Sequence, residues 1–124
     1  MSPRSEEFMA MALNRLTGAR ASLAAGSAPS AISAAYYAML NAARAALSEE
    51  DLYAKTHRGT WDLFRQTFVE TVRFDAELLT RARRTQPDRE AADYAAVIAA
   101  TSKGEEIVAL AERFIAAVRE LVGD

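Results

Sequence analysis

Apolar side chains recur at spacings of three and four residues through most of the chain, which is the period of amphipathic helices. Ile107, Ala111 and Phe114, for example, share one helix face. The pattern predicts an all-α fold, an antiparallel up-and-down four-helix bundle with one additional short helix. The predicted segments are residues 3–25, 28–47, 57–69, from 74 or 75 to 86, 87–94 and from 102 onward.

Capping and breaking residues set the predicted bounds. Ser2 and Thr56 are suitable N-caps, and Gly26 stands where a helix-ending residue with positive φ is common. Pro87 should break or kink the fourth helix, because it has no amide hydrogen and its ring crowds the preceding turn. The run 102–105, Ser-Lys-Gly-Glu, has the spacing of a capping box and predicts the start of the last helix.

Composition supports one helical domain over residues 1–124, with 51% hydrophobic residues and 28 alanines against 5 glycines and 3 prolines. The absence of cysteine excludes a disulfide scaffold, a thiolate zinc site and a cysteine nucleophile. The net charge of -2 gives no sign of bulk binding to nucleic acid or membrane. No apolar run spans a bilayer and the first residues lack signal-peptide order, so we expect a cytoplasmic protein.

Positive charge concentrates in the middle of the chain. Residues 55–89 carry 8 basic and 5 acidic side chains, a local net charge of +3. Arg81 and Arg84 are three residues apart and share a helix face. This region is either a solvated surface with ion pairs or a patch that binds phosphate, since guanidinium groups match phosphate oxygens.

His57, the only histidine, stands at a predicted helix start. Its usual pKa near neutrality suits a general base, whereas the structural alternative is a capping or packing role. A Glu-x-x-His spacing is absent, so no metal site is predicted. Phosphate-loop and dinucleotide fingerprints are absent as well, and no cofactor is predicted.

Two further groups of polar residues are candidates. Arg89, Asp93 and Tyr94 lie within six residues, and an Arg89–Asp93 pair at i and i+4 is the structural alternative to a site. Tyr37, Asn41 and Arg44 form a polar row on the mostly apolar second helix. Because unpaired burial of such a row is costly, it is either a hydrogen-bond network, a dimer contact or the lining of a small site.

Several segments together resemble the HEPN domain family, in particular its small stand-alone prokaryotic members. The segments are 34–46, 55–59, 89–94 and 111–114, with Phe64 and residues 68–69 between them. The resemblance covers nearly the whole chain. It implies a dimeric helical bundle from a family in which many members are metal-independent ribonucleases, often toxins or defence effectors. Some are encoded beside a minimal nucleotidyltransferase that acts as antitoxin.

The chain departs from the catalytic motif of that family, an Arg followed after four to six residues by His. None of its arginines has that spacing to His57. The resemblance therefore implies an RNA- or nucleotide-binding homodimer of a toxin–antitoxin or defence-type system with altered or degenerate ribonuclease capacity. If it is active, Arg89 would hold a phosphate and Asp93, Tyr94 or His57 would transfer protons. The alternatives are an active ribonuclease toxin and a non-catalytic module that binds a nucleotidyltransferase.

Overall fold

The computed structural model describes the backbone of residues 1–94 and 101–124 and the side chains of residues 1–91 and 101–124. The predicted all-α fold is confirmed. Within the described ranges the helices are α1 (Pro3–Ala24), α2 (Ala28–Glu49), α3 (His57–Phe64), a π-helical turn (Arg65–Val69), α4 (Ala76–Arg83), α5 (Thr85–Tyr94) and α6 (Thr101–Leu121).

The first two helices form a hairpin, and both begin where the sequence predicts. Ser2 caps α1, its hydroxyl accepting a hydrogen bond from the Ser5 amide at 3.2 Å. Gly26 has a φ of 81° in the short connection to α2, a backbone conformation that glycine adopts without strain. Helix α2 continues two residues beyond its predicted end and stops at Glu49.

Helix α2 is the centre of the bundle and packs against α1, α3, α5 and α6. Fifteen of its 22 residues are buried, most of them alanines, whose small side chains let neighbouring helices approach closely. Aromatic rings fill the space beyond it: Phe64 contacts Phe74 with ring centroids 4.9 Å apart, and Trp61 meets Phe114 edge-on at 6.0 Å.

The third predicted helix has the predicted N-cap but does not stay α-helical to its end. The Thr56 hydroxyl accepts from the Gly59 amide at 2.9 Å. After Phe64 the helix widens, and the Glu70 amide bonds to the Arg65 carbonyl five residues back. The loop that follows holds Val72 at a φ of 60°, with its side chain 92% exposed.

Two predicted helix boundaries were wrong. The interruption between α4 and α5 lies at Arg84, three residues before Pro87, and Pro87 falls in the first turn of α5. Proline is tolerated there because the first amides of a helix have no intrahelical acceptor. Ser102 is not an N-cap but lies inside α6. The prediction failed because a serine three residues before a glutamate also fits within a first turn. The predicted short helix through Tyr94 is confirmed.

Gly104, in the first turns of α6, lies at a close contact between this helix and the α1–α2 hairpin. A Cβ on Gly104 would lie 3.1 Å from the Leu23 Cδ1 and 3.2 Å from the Ala28 Cβ. By contrast, a Cβ on Gly18 of α1 would meet no atom within 4 Å. Glycine at 104 therefore serves packing, whereas glycine at 18 does not.

Candidate functional site

The hydroxyl of Tyr36 is the centre of a polar network inside the bundle. The Tyr36 side chain is fully buried on α2, yet three polar atoms surround its oxygen. The Trp61 Nε1 donates to it at 3.2 Å, His57 Nδ1 lies 3.2 Å away, and the hydroxyl donates to Gln86 Oε1 at 3.3 Å. Residues from α2, α3 and α5 thus meet at one atom.

This network determines which nitrogen of His57 carries the proton. A tyrosine hydroxyl has one hydrogen to donate and two lone pairs to accept with. The Gln86 Nε2 points to Glu90 Oε1 at 3.4 Å, which turns the Gln86 Oε1 toward Tyr36 as an acceptor. All contacts are satisfied when Tyr36 donates to Gln86 and accepts from His57 Nδ1–H. In neutral His57 the Nε2 atom then keeps its lone pair.

Burial and nearby positive charge act together on His57. Partial burial lowers the pKa of His57 below its ordinary value, and the charges of Arg44 and Arg89 lower it further. The carboxylate of Glu90 opposes them and raises the pKa. Burial also raises the pKa of Tyr36, so its phenol keeps the proton that it donates to Gln86. At neutral pH His57 is therefore a neutral imidazole able to accept a proton at Nε2.

Arg89 is brought to the same place by α5. Its guanidinium Cζ lies 5.5 Å from the ring centroid of Tyr36 and 5.6 Å from that of Tyr37. His57 packs on the same two rings, with centroids 5.7 Å away in both cases. Arg89 is only 7% exposed, and its charge lies 3.8 Å from Glu90. A histidine and an arginine 32 positions apart in sequence thus share one aromatic support. We call Tyr36, Tyr37, Arg44, His57 and Arg89 the histidine–arginine cluster.

The polar row of α2 does not face bulk water. Asn41 is buried and donates to the Tyr37 carbonyl at 2.9 Å, while Tyr37 and Arg44 are half-buried. Arg44 Nη2 donates to the Lys55 carbonyl at 3.3 Å, and the guanidinium lies 5.6 Å from the ring centroid of Tyr53. Tyr37 belongs to the cluster through its contacts with His57 and Arg89, and Arg44 through the effect of its charge on the pKa of His57. Asn41 supports the helix next to them.

Arg81 and Arg84 lie apart from that cluster, one α-helical turn from each other. Both line a small cleft between α4, α5 and α6 with a volume of about 170 Å³, next to the ion pair of Lys103 and Asp88 at 3.8 Å. Arg84 also faces a second cleft on the other side of the α4–α5 turn. Arg81 does not line that second cleft.

Asp93 and Tyr94 belong to the backbone of α5, but their side chains lie outside the described residues. Their roles, including the predicted pair of Arg89 with Asp93, stay predictions. The described part of the chain assigns Arg89 other neighbours, namely Glu90 and the two tyrosine rings.

Sequence reasoning missed the residues that orient His57. Tyr36 was assigned to the apolar stripe of α2, and its burial agrees with that, but its hydroxyl end is polar. The only signal was that a buried tyrosine usually finds a hydrogen-bond partner. Gln86 and Trp61 carried no such signal, because their partners lie far away in sequence.

The cluster is suited to an anionic ligand. It offers two guanidinium groups and one neutral imidazole, which matches the charge of a phosphodiester. Within the described residues no group of three His, Cys, Asp or Glu side chains gathers in a way that could hold a metal ion.

These features define a class: a small all-α domain in which a half-buried histidine and a buried arginine, from two different helices, pack on tyrosine rings of the central helix. The chain matches the HEPN domain family over residues 5–121, nearly its whole length, and it belongs to that family. Membership supports a role related to nucleotides or RNA, or a toxin-type role, at family level, and HEPN domains commonly dimerise. Curated proteins include no match to this chain. Among the helices that the described residues form, none has the length and apolarity to cross a membrane.

Proposed function

We propose that this chain is a dimeric RNA-binding HEPN protein of a toxin–antitoxin or defence-type system, with a low ribonuclease capacity centred on His57. One observation carries the proposal: His57 and Arg89, separated in sequence, pack on the same two tyrosine rings. A cation and a proton acceptor side by side match the needs of RNA phosphodiester cleavage, and the positive charge of Arg44 also acts on His57.

The chemistry follows from the free lone pair on His57. Nε2 takes the proton of a ribose 2′-hydroxyl, and the 2′-oxygen attacks the adjacent phosphorus. The bond from phosphorus to the 5′-oxygen breaks, giving a 2′,3′-cyclic phosphate and, after proton uptake, a 5′-hydroxyl. Arg89 and Arg44 stabilise the charge that builds on the non-bridging oxygens. The attacking and leaving oxygens lie on opposite sides of phosphorus, so one imidazole cannot serve both, and this limits the rate.

Replacement of His57 by asparagine tests the proposal. The asparagine Nδ2 takes the place of Nδ1 and keeps a donor toward the Tyr36 hydroxyl, but no group replaces Nε2. The variant should retain its stability and RNA affinity and lose cleavage of an end-labelled single-stranded RNA. Products of the wild type should end in 2′,3′-cyclic phosphate. Cleavage at an unchanged rate in the purified variant would remove His57 from the chemistry.

The proposed assembly has its own tests. Light scattering at micromolar concentration should give about twice the chain mass of 13.5 kDa. A clean monomer contradicts the dimer.

The proposed partner is a minimal nucleotidyltransferase encoded beside this chain. Co-expression of such a neighbour should yield a stable complex and suppress growth inhibition by this chain. A neighbouring nucleotidyltransferase that neither binds nor protects contradicts this part of the proposal.

A further inference from the structure

A cleft with a volume of about 540 Å³ lies between α3, the π-helical turn, α4 and α5. Its size is that of small-molecule binding sites, which are commonly 300–1,000 Å³. Four arginines line it, together with the apolar side chains of two residues from α4 and α5: Arg58, Arg65, Arg83, Arg84, Leu79 and Pro87. We call it the arginine cleft.

Ion pairs fix part of the lining without cancelling its charge. Arg83 pairs with Asp62 at 2.7 Å, and Arg58 lies 3.9 Å from the same carboxyl group. The hydrogen bond from Arg83 lowers the pKa of Asp62, which keeps that carboxylate charged. Arg65 pairs with Glu70 at 3.5 Å. Over the side chains that the structure describes, Arg84 has no carboxylate within ion-pair distance. Arg84 is therefore the guanidinium most available to an outside anion.

The lining favours a ligand that is both anionic and flat. Guanidinium planes and aliphatic side chains form surfaces on which a base stacks, and the same guanidinium groups bind phosphate oxygens in a bidentate way. A free inorganic anion would use only the charge and leave the apolar surface around Leu79 and Pro87 uncovered. A nucleoside phosphate uses both.

The arginine cleft is linked to the histidine–arginine cluster by two of its lining residues. Gln86 and Glu90 line the cleft, and the same two residues form the hydrogen-bonded connection to Tyr36. We infer that the cleft holds a neighbouring nucleotide of the single-stranded RNA whose scissile phosphate lies at His57 and Arg89. This inference rests on the proposed function for the position of that phosphate, but binding in the cleft does not require cleavage.

Affinity for a fluorescein-labelled single-stranded octaribonucleotide, measured by anisotropy at several salt concentrations, tests the inference. The cleft variant is Arg65→Ala with Arg84→Ala. The matched control is Arg20→Ala with Arg113→Ala, which removes the same charge from exposed positions of α1 and α6 and also breaks one ion pair, Arg20 with Glu112. All four side chains are exposed, so both variants should fold, as circular dichroism will verify. Arg84→Glu alone is a second cleft variant.

The cleft variant should bind about 10-fold more weakly, and the slope of log K against log salt should fall by roughly 1.4, the value for two phosphate contacts on a single strand. The control should bind within about twofold of the wild type. Equal affinities of the cleft and control variants overturn the inference and leave RNA binding intact. If polyglutamate competes with the labelled RNA as effectively as unlabelled RNA of equal charge does, the inference is also overturned, because the cleft is then a general anion-binding surface.

The outcomes separate this inference from the proposed function. If RNA binds through the cleft arginines but is not cleaved, the proposed chemistry is contradicted and RNA binding in the cleft is supported. If cleavage depends on His57 but RNA affinity does not depend on Arg84, RNA binding in the cleft is contradicted and the proposed chemistry is supported. A wild-type protein that binds no RNA at low salt contradicts both.

Discussion

Removal of the Tyr36 hydroxyl is the most direct perturbation of the network that orients His57. Tyr36→Phe keeps the buried ring and takes away one oxygen. The Trp61 Nε1 then loses its acceptor, and Trp61 is fully buried, so water does not replace it. His57 and Gln86 are only half-buried and can turn to solvent. The dominant cost is therefore one unsatisfied buried donor, about 1–3 kcal/mol.

Urea denaturation followed by circular dichroism measures this cost. For a domain of this size, 1 kcal/mol corresponds to a fall in Tm of roughly 4 °C. Tyr53→Phe is the matched control, since the Tyr53 side chain is 47% exposed, and this substitution should cost less than about 0.5 kcal/mol. In a Trp61→Phe background, Tyr36→Phe should cost less, because the donor is already gone.

Two results would refute the reasoning. A cost for Tyr36→Phe as small as that for Tyr53→Phe would show that the Trp61 donor is satisfied in another way. An unchanged cost in the Trp61→Phe background would place the effect outside this hydrogen bond. The variant should also lose RNA cleavage out of proportion to its stability, because the tautomer of His57 is no longer held.

Three further predictions concern pH and backbone. Because the pKa of His57 is lower in the folded state, the unfolded chain binds more protons, and the free energy of unfolding should fall as the pH drops below about 6.5. Denaturation series at several pH values should show a flatter pH dependence for His57→Asn. Val72→Asn should raise the free energy of unfolding by up to about 1 kcal/mol, since asparagine tolerates the left-handed backbone better than valine; a loss of stability there would argue against strain. Gly104→Val should lower the free energy of unfolding by about 1–3 kcal/mol through overpacking, whereas Gly18→Ala should raise it by about 0.5–1 kcal/mol. Calorimetry that shows a change of the same sign for both variants would contradict the packing difference between the two positions.

The fold was predictable because its signals are local. Periodicity located α1, α2, α3, α4 and α6, and the caps at Ser2 and Thr56 depend on atoms three residues apart. The errors arose where a local signal fits two positions. Pro87 suits a helix break and also a first turn, and Ser102 suits an N-cap and also a helix interior.

The candidate site was predictable only in part, because it is built by contacts over long sequence distances. His57 and Arg89 were identified by residue type, but their common support on the rings of Tyr36 and Tyr37 depends on how α3 and α5 pack on α2. His57 lies on α3 and Arg89 on α5, and an arrangement across two helices has no short sequence pattern to detect.

The alanine-rich hairpin of α1 and α2 also bears on how the chain matures. Its two helices are joined by three residues, so their mutual contacts close only a short loop and lose little chain entropy. Such contacts favour rapid folding. During synthesis the hairpin leaves the ribosome before α3, α5 and α6 exist, and it carries the Tyr36 and Tyr37 rings on its surface. His57 and Arg89 therefore dock onto a hairpin that has already formed, and the histidine–arginine cluster is complete only once α5 has docked.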